Sequence, residues 1–280
     1  MKQEKSWKIT ETFWEAVKGL IPKPKREEGK EYKRAPGVGR KPMDPSRVLE
    51  AIFYVLRTGI QWKALPKEFG SSSSVHKYFM AWCKAGVFEM MWILGLQGYD
   101  EFKGIEWQWQ SIDGSSVKAP LARETVGPNP TDRGKNGSKR HILVDGNGVP
   151  LSIVLTGANR HDVTQIEIVL DSIEVQRPEF DYSQGATENL CADKGYYGEP
   201  ALEAIVLRGY IPHVVSRGEE KQNIENNPEF KARRWVVERV FSWLNLFRKI
   251  LVRYEKYAFT YMGLLQLACA FIAFRQIEFI

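Results

Sequence analysis

Three carboxylates stand where they could act on one substrate: Asp113 in SIDGSS, Asp193 in CADKGYYGEP and Glu238 in RRWVVERVFSW. Carboxylate oxygens are hard ligands, and a set of them suits Mg²⁺ or Mn²⁺. Two such ions about 4 Å apart polarise a phosphoryl oxygen, activate a water or hydroxyl, and neutralise the leaving alkoxide of an in-line displacement. The reaction class that needs this is phosphodiester hydrolysis and exchange. Each acid also has a simpler reading. Asp113 can cap the turn at Gly114, Asp193 can open a turn before Gly195, and Glu238 can pair with Arg234 one helical turn earlier. The joint reading is favoured because the three fall on a strand, a strand end and a helix, beside Trp and Val side chains that would desolvate them. Asp145 and Asp162 have structural explanations, the first opening a hairpin and the second capping a helix.

The elements that must position these acids follow from the pattern. WQWQSIDGSSVKA alternates as a strand does. KRHILVDGNGVPLSIVLTG reads as two strands about Asp145-Gly146 and Asn147-Gly148, a hairpin signal. Residues 162 to 175 read as a helix, 188 to 193 as a buried strand ending on Asp193, 199 to 208 as a helix and 209 to 216 as a strand. Residues 229 to 251 and 261 to 275 are helical. This order predicts an α/β domain, a mixed five-stranded sheet flanked by helices. If its first and fourth strands are neighbours, both aspartates reach one edge of the sheet. A helix packed over that edge lowers Glu238 onto them.

The front of the chain is different in kind. Residues 1 to 85 hold 18 Lys+Arg against 9 Asp+Glu, whereas the whole chain carries +6. A basic front points to an anionic partner such as nucleic acid, or to solubility alone. Residues 22 to 46 read as an exposed arm, which includes Arg40 and Lys41. Asp44-Pro45 starts a helix that stops at Gly59, and a serine run starts another bearing His76 and Lys77. Two helices joined by a short turn suit a helix-turn-helix-like module. A plain helical bundle with solvated lysines fits equally well. Cys83, Cys191 and Cys269 are odd in number, widely spaced and set in apolar surroundings, which reads as reduced core thiols in a cytoplasmic protein. No secretory signal is visible, and the apolar run 262 to 274 is short for a membrane span.

SIDGSSVKA, the hairpin KRHILVDGNGVPLSIVLTGANRHD, CADKGYYGEP and RRWVVERVFSWL together resemble the bacterial insertion-sequence transposases of the Asp-Asp-Glu type, especially the insertion-sequence-five group. GRKPMDPSRVLEAIFYVLRTGIQWKALPKEFG resembles that group's N-terminal domain, so the resemblance covers about residues 35 to 275. It implies a small all-α DNA-binding domain over 1–100 and a ribonuclease-H-like catalytic domain over 101–280. It also implies that Asp113, Asp193 and Glu238 are the catalytic acids and hold two Mg²⁺ ions, for which Mn²⁺ can substitute. The implied partner is double-stranded DNA, both element ends and target, bound by a homodimer at the nucleoid. A water frees a 3′-hydroxyl at the element end, and that hydroxyl then attacks target DNA. The family's Tyr-x2-Arg-x3-Glu-x6-Lys signature matches at Arg234 and Glu238 but has Lys231 and Asn245 at its ends. Arg248, Lys249 and Arg253 are therefore alternative phosphate contacts. Lys194 and Tyr196 lie beside the substrate on this reading, and Arg234 orients Glu238 or grips a phosphate. A ribonuclease-H-like nuclease without joining activity, or a catalytically silent DNA-binding regulator, would share much of this pattern.

Overall fold

The sheet that carries the two aspartates is built around the strands Trp109–Lys118 and Asn136–Val144. The computed structural model describes residues 7–23, 29, 31, 41–179, 187–214, 233 and 235–277. Its strands are β1 (Trp109–Lys118), β2 (Gly127–Pro128), β3 (Asn136–Val144), β4 (Pro150–Gly157), β5 (Glu188–Ala192) and β6 (Tyr210–Val214). β3 pairs antiparallel with β1, with β4 and, at one end, with the two-residue β2. β5 adds to β1 in parallel and β6 adds to β5 in parallel. The five long strands are those the sequence predicts, and β2 is an addition to them. The first and fourth of the five, β1 and β5, are neighbours. Every residue of β5 is buried, the usual state of a parallel strand covered by helices on both faces.

The β3–β4 hairpin forms where the turn dipeptides predict it. The buried Asp145 carboxylate accepts from the amides of Asn147 (3.0 Å) and Val149 (2.7 Å) and from the Tyr99 hydroxyl (2.9 Å). These bonds satisfy turn amides that the ladder leaves over. Gly148 has φ +87°, a conformation that favours glycine. An added Cβ there would also come within 3.1 Å of Arg239 Nη2.

The helices are α1 (Glu11–Val17), α2 (Pro45–Thr58), α3 (Ser72–Lys84), α4 (Val87–Lys103), α5 (Ile166–Asp171), α6 (Glu199–Leu207), α7 (Trp235–Asn245) and α8 (Ala258–Gln276). α2 starts where Asp44 accepts from the Ser46 amide (3.0 Å) and stops at Gly59 (φ +74°). It buries Val48, Leu49, Ile52, Phe53, Val55 and Leu56. The connection from α2 to α3 is longer than the short turn expected. It runs through two 3-10 turns, Trp62–Ala64 and Lys67–Phe69, because Leu65 and Phe69 are drawn into the core.

α4 has no counterpart in the sequence reading. Its apolar residues surround the helix and two glycines interrupt it, so no single amphipathic stripe stands out. It packs along α8, and a Cβ on Gly95 would lie 3.0 Å from the Phe274 ring. The Trp92 indole donates to the Pro150 carbonyl (3.1 Å). Front helices, sheet and C-terminal helix therefore share one continuous apolar core. α8 is long and apolar enough to cross a membrane by length and composition, but most of it is buried inside the fold.

Two helices are shorter than expected. In place of one helix over 162–175, a 3-10 turn at Asp162–Gln165 leads into α5, which ends at Asp171. α7 stops at Asn245 and does not continue to 251. There Phe247 turns into a ring cluster with Phe53 (6.3 Å) and Phe271 (5.6 Å), and a 3-10 turn at Arg248–Ile250 follows.

Candidate active site

The register of β1 against β5 brings Asp113 and Asp193 to one place. The last paired residues of the two parallel strands are Ser111 and Cys191, and each aspartate lies two residues beyond its member of that pair. Side chains two apart on a strand share a face, so both carboxylates leave the same face at the same end. Asp113 is half-buried within β1, and its carboxylate accepts from the Gly114 amide (2.7 Å). Asp193 follows β5 directly and caps the 3-10 turn Lys194–Tyr196, accepting from the Gly195 amide (2.8 Å).

Glu238 is exposed on α7, which packs over β1 and β3 through Val236, Val237, Val240 and Leu244. Two ties fix the helix on the sheet. The Ser111 hydroxyl donates to the Arg233 carbonyl (3.1 Å), and Arg239 Nη2 donates to the Asn147 carbonyl (2.7 Å). The electrostatics record the convergence of the acids. Burial pushes the Asp113 carboxyl up to about 6, and the charges of Asp193, Asp162 and Glu238 push the same way against the Gly114 amide. Carboxylate oxygens from the sheet edge and from the helix above it suit a hard divalent cation in donor chemistry. Among the described residues no three acid, His or Cys side chains stand close enough together to hold an ion.

Asp162 departs from expectation. It does not cap a helix; its carboxylate runs to the sheet, with Oδ2 3.1 Å from Lys139 Nζ and Oδ1 3.4 Å from His141 Nδ1. Burial pushes its carboxyl up, but the His141 and Lys139 contacts outweigh that and hold it below the usual range. Tyr196 also departs from expectation. It is fully buried, facing Asp162, Asp113 and Asp193, and its hydroxyl has no hydrogen-bond partner among the described residues. Lys139, His141, Asp162 and Tyr196 are the residues the sequence reading missed as a set. Their one signal in the sequence is the alternation of Lys139 and His141 on a single face of a predicted strand.

The candidate phosphate contacts divide. Lys194, Arg248, Lys41 and Lys77 are exposed, and Lys41 lines a cleft of about 540 Å³ with Arg47, Lys67, Ser71 and Tyr78. His76 is half-buried, its ring 5.0 Å from that of Trp62. Lys249 and Arg253 are corrections, because both point inward. Lys249 is 7% exposed, donates to the Ile60 carbonyl (3.3 Å) and faces Glu255 (3.7 Å). Arg253 is fully buried and donates to the Ser138 hydroxyl (2.8 Å) and to the Thr125 hydroxyl (2.9 Å) and carbonyl (3.1 Å). Arg40, Lys231 and Arg234 lie outside the described residues.

Comparison with known proteins gives concordant matches. The family described as Transposase DDE domain matches residues 110–272, and one described for transposases of the IS4/5 family matches residues 9–92. A protein named as transposase for insertion sequence element IS402, from Burkholderia cepacia, is 37% identical over 156 residues, 56% of this chain and 72% of its own length. An uncharacterized 16.2 kDa protein of insertion element IS402, from the same organism, is 30% identical over 124 residues, 44% of this chain and 80% of its own. Among solved structures, the catalytic domain of Mos1 mariner transposase aligns at a TM-score of 0.29 and 11% identity, covering 67% of this chain and 90% of its own. With more than half of its length inside the first match, the chain belongs to the transposase family that the DDE domain defines.

Proposed function

We propose that this transposase binds the terminal inverted repeats of an insertion sequence and cuts and rejoins DNA at Asp113, Asp193 and Glu238. The observation that supports this most is the β1–β5 register, which gives two aspartates one face and one edge beneath the helix of Glu238. Asp113 and Asp193 would hold Mg²⁺ or Mn²⁺ from the sheet edge, and Glu238 would complete the set from above. Divalent ions there would supply charge for the pentacovalent transition state and acidify the attacking water or 3′-hydroxyl. The chain's own part is orientation. The Gly114 and Gly195 amides each fix one aspartate oxygen. Lys194, exposed directly after Asp193, borders this edge, where a phosphate would lie.

Residues 1–100 are assigned to reading the element ends and 101–280 to the chemistry. Lys41, Lys77, Arg248 and Lys194 are the exposed cations offered to phosphate. Binding through such contacts weakens steeply with salt. Two ends must be held together, so the active form is assigned as a homodimer on DNA, in the cytoplasm.

The test is substitution of each acid. Asp113→Ala, Asp193→Ala and Glu238→Ala are expected to lower cleavage of an end-bearing duplex by at least 10³-fold, on the scale of losing a catalytic group, while gel-shift affinity for the end changes little. A variant that folds and cuts at the wild-type rate would remove its residue from the site.

A further inference from the structure

A second polar cluster lies against the other face of β1, and the scheme above does not use it. Asp113 and Gly114 point to opposite faces of the strand, and Gly114 is paired across the ladder with His141. Asp162 reaches into the space that the missing side chain leaves. A Cβ on Gly114 would come within 2.3 Å of Asp162 Oδ1 and 3.2 Å of His141 Nδ1. The carboxylate therefore rests directly on the backbone that follows Asp113.

The same carboxylate is clamped from β3. Lys139 Nζ is 3.1 Å from Oδ2 and His141 Nδ1 is 3.4 Å from Oδ1, while His141 Nε2 is 2.9 Å from the Thr156 hydroxyl. On its other side, the turn that starts at Asp162 packs on the turn Lys194–Tyr196 that Asp193 caps. Tyr196 is the buried member of that turn. Asp162 thus touches the segment of one catalytic aspartate and faces the segment of the other. An apolar side chain would wedge β1 against that turn without adding charge beside Asp113. A carboxylate and two basic side chains at a partly buried contact, with His141 fully buried, are a costly substitute for one, and such groups concentrate where function requires them.

We propose that Asp162, held by Lys139 and His141, is a positioning residue that fixes the separation of Asp113 and Asp193 for cation binding. The inference rests on the assignment of Asp113 and Asp193 to the ion site. Partners that act on a metal site through its ligands commonly change affinity or activity by about 10- to 100-fold.

The experiment measures Mn²⁺ affinity of the full chain by calorimetry, single-turnover cleavage, end binding and thermal melting. Asp162→Asn keeps the shape and an oxygen toward His141 but loses the charge opposite Lys139. It is expected to weaken Mn²⁺ binding about 10-fold or more and to slow cleavage, with the rate recovered at raised Mn²⁺ and end binding unchanged. A purely structural role would lower the melting temperature and leave the Mn²⁺ affinity of the folded protein alone. If Asp162→Asn does not fold, Lys139→Met carries the test, with the same direction expected. Mn²⁺ affinity within twofold of wild type in the folded variants, alongside loss of binding in Asp113→Ala, overturns the positioning role and spares the site. Wild-type Mn²⁺ binding by Asp113→Ala would instead overturn the site assignment itself.

Discussion

Asp113 sits where a carboxylate is poorly solvated and surrounded by its own kind. Burial, Asp193, Asp162 and Glu238 together raise its carboxyl to about 6 from the ordinary 3.8. A raised carboxyl favours the folded state while it is protonated, so its contribution to stability is present below about 3.8 and is lost as pH rises through about 6. Above that range the ionised group opposes folding. Asp113→Asn removes this repulsion and can still accept from the Gly114 amide, so at pH 8 without metal the variant is expected to be about 1–2 kcal/mol more stable than wild type. Chemical denaturation in chelator checks this, and an equal or lower stability would mean that burial and the neighbouring charges do not penalise the ionised Asp113 carboxylate in the folded protein. The same titration governs Mn²⁺ binding. A cation must displace the proton below about pH 6, so affinity is expected to rise about tenfold per pH unit there and to level off above.

At the scale of elements, α7 decides whether Glu238 faces the aspartates. Its anchor on the hairpin is Arg239, which lies over Trp235 (4.7 Å) and Trp243 (4.8 Å) while donating to Asn147. Arg239→Met keeps the packing stem and loses the bond, so stability is expected to fall by about 1 kcal/mol. Cleavage is expected to fall further than that figure conveys while end binding holds, because a misplaced ligand costs rate before it costs fold. Equal losses in end binding and cleavage would show that the anchor serves only the fold. The anchor also shows what the sequence could disclose. β1, the hairpin and β5 were legible because alternation, turn dipeptides and an apolar run are local signals. The nearness of Asp113 and Asp193 was legible only on the condition that the first and fourth strands are neighbours, which the pairing of β1 with β5 supplies. Asp162 was not legible: its position after the hairpin looks like a helix cap, and its partners lie on a strand some twenty residues earlier. Lys249 and Arg253 were misread because the sequence does not distinguish a solvated cation from one turned inward to Ile60, Ser138 or Thr125.

At the scale of the molecule, the basic front and the catalytic sheet are joined by packing that neither segment can forgo. α4 lies along α8, with Gly95 against the Phe274 ring and Gly263 against Cys83 and Phe88. The Trp62 indole donates to Glu255 (3.2 Å) beside Lys249, a buried polar seam between the α2–α3 connection and the C-terminal third. A core shared in this way makes unfolding cooperative across the proposed division. A Cβ on Gly263 would meet Cys83 Sγ at 2.6 Å and the Phe88 ring at 3.1 Å, so Gly263→Val overfills the contact between α8 and the front helices. The expected cost is about 1–3 kcal/mol. The loss should appear in one transition, with tryptophan fluorescence, far-ultraviolet circular dichroism, end binding and Mn²⁺ affinity falling together. Two separated transitions, with end binding surviving the first, would mean that the front helices hold their fold without α8. The apolar faces of α2 and α4 argue against that outcome, since α8 covers α4 and Phe247 and Phe271 cover Phe53. Stripped of those partners, the front segment would present a broad apolar surface to water, and its basic residues would then sit on a surface prone to association instead of a defined DNA-binding face.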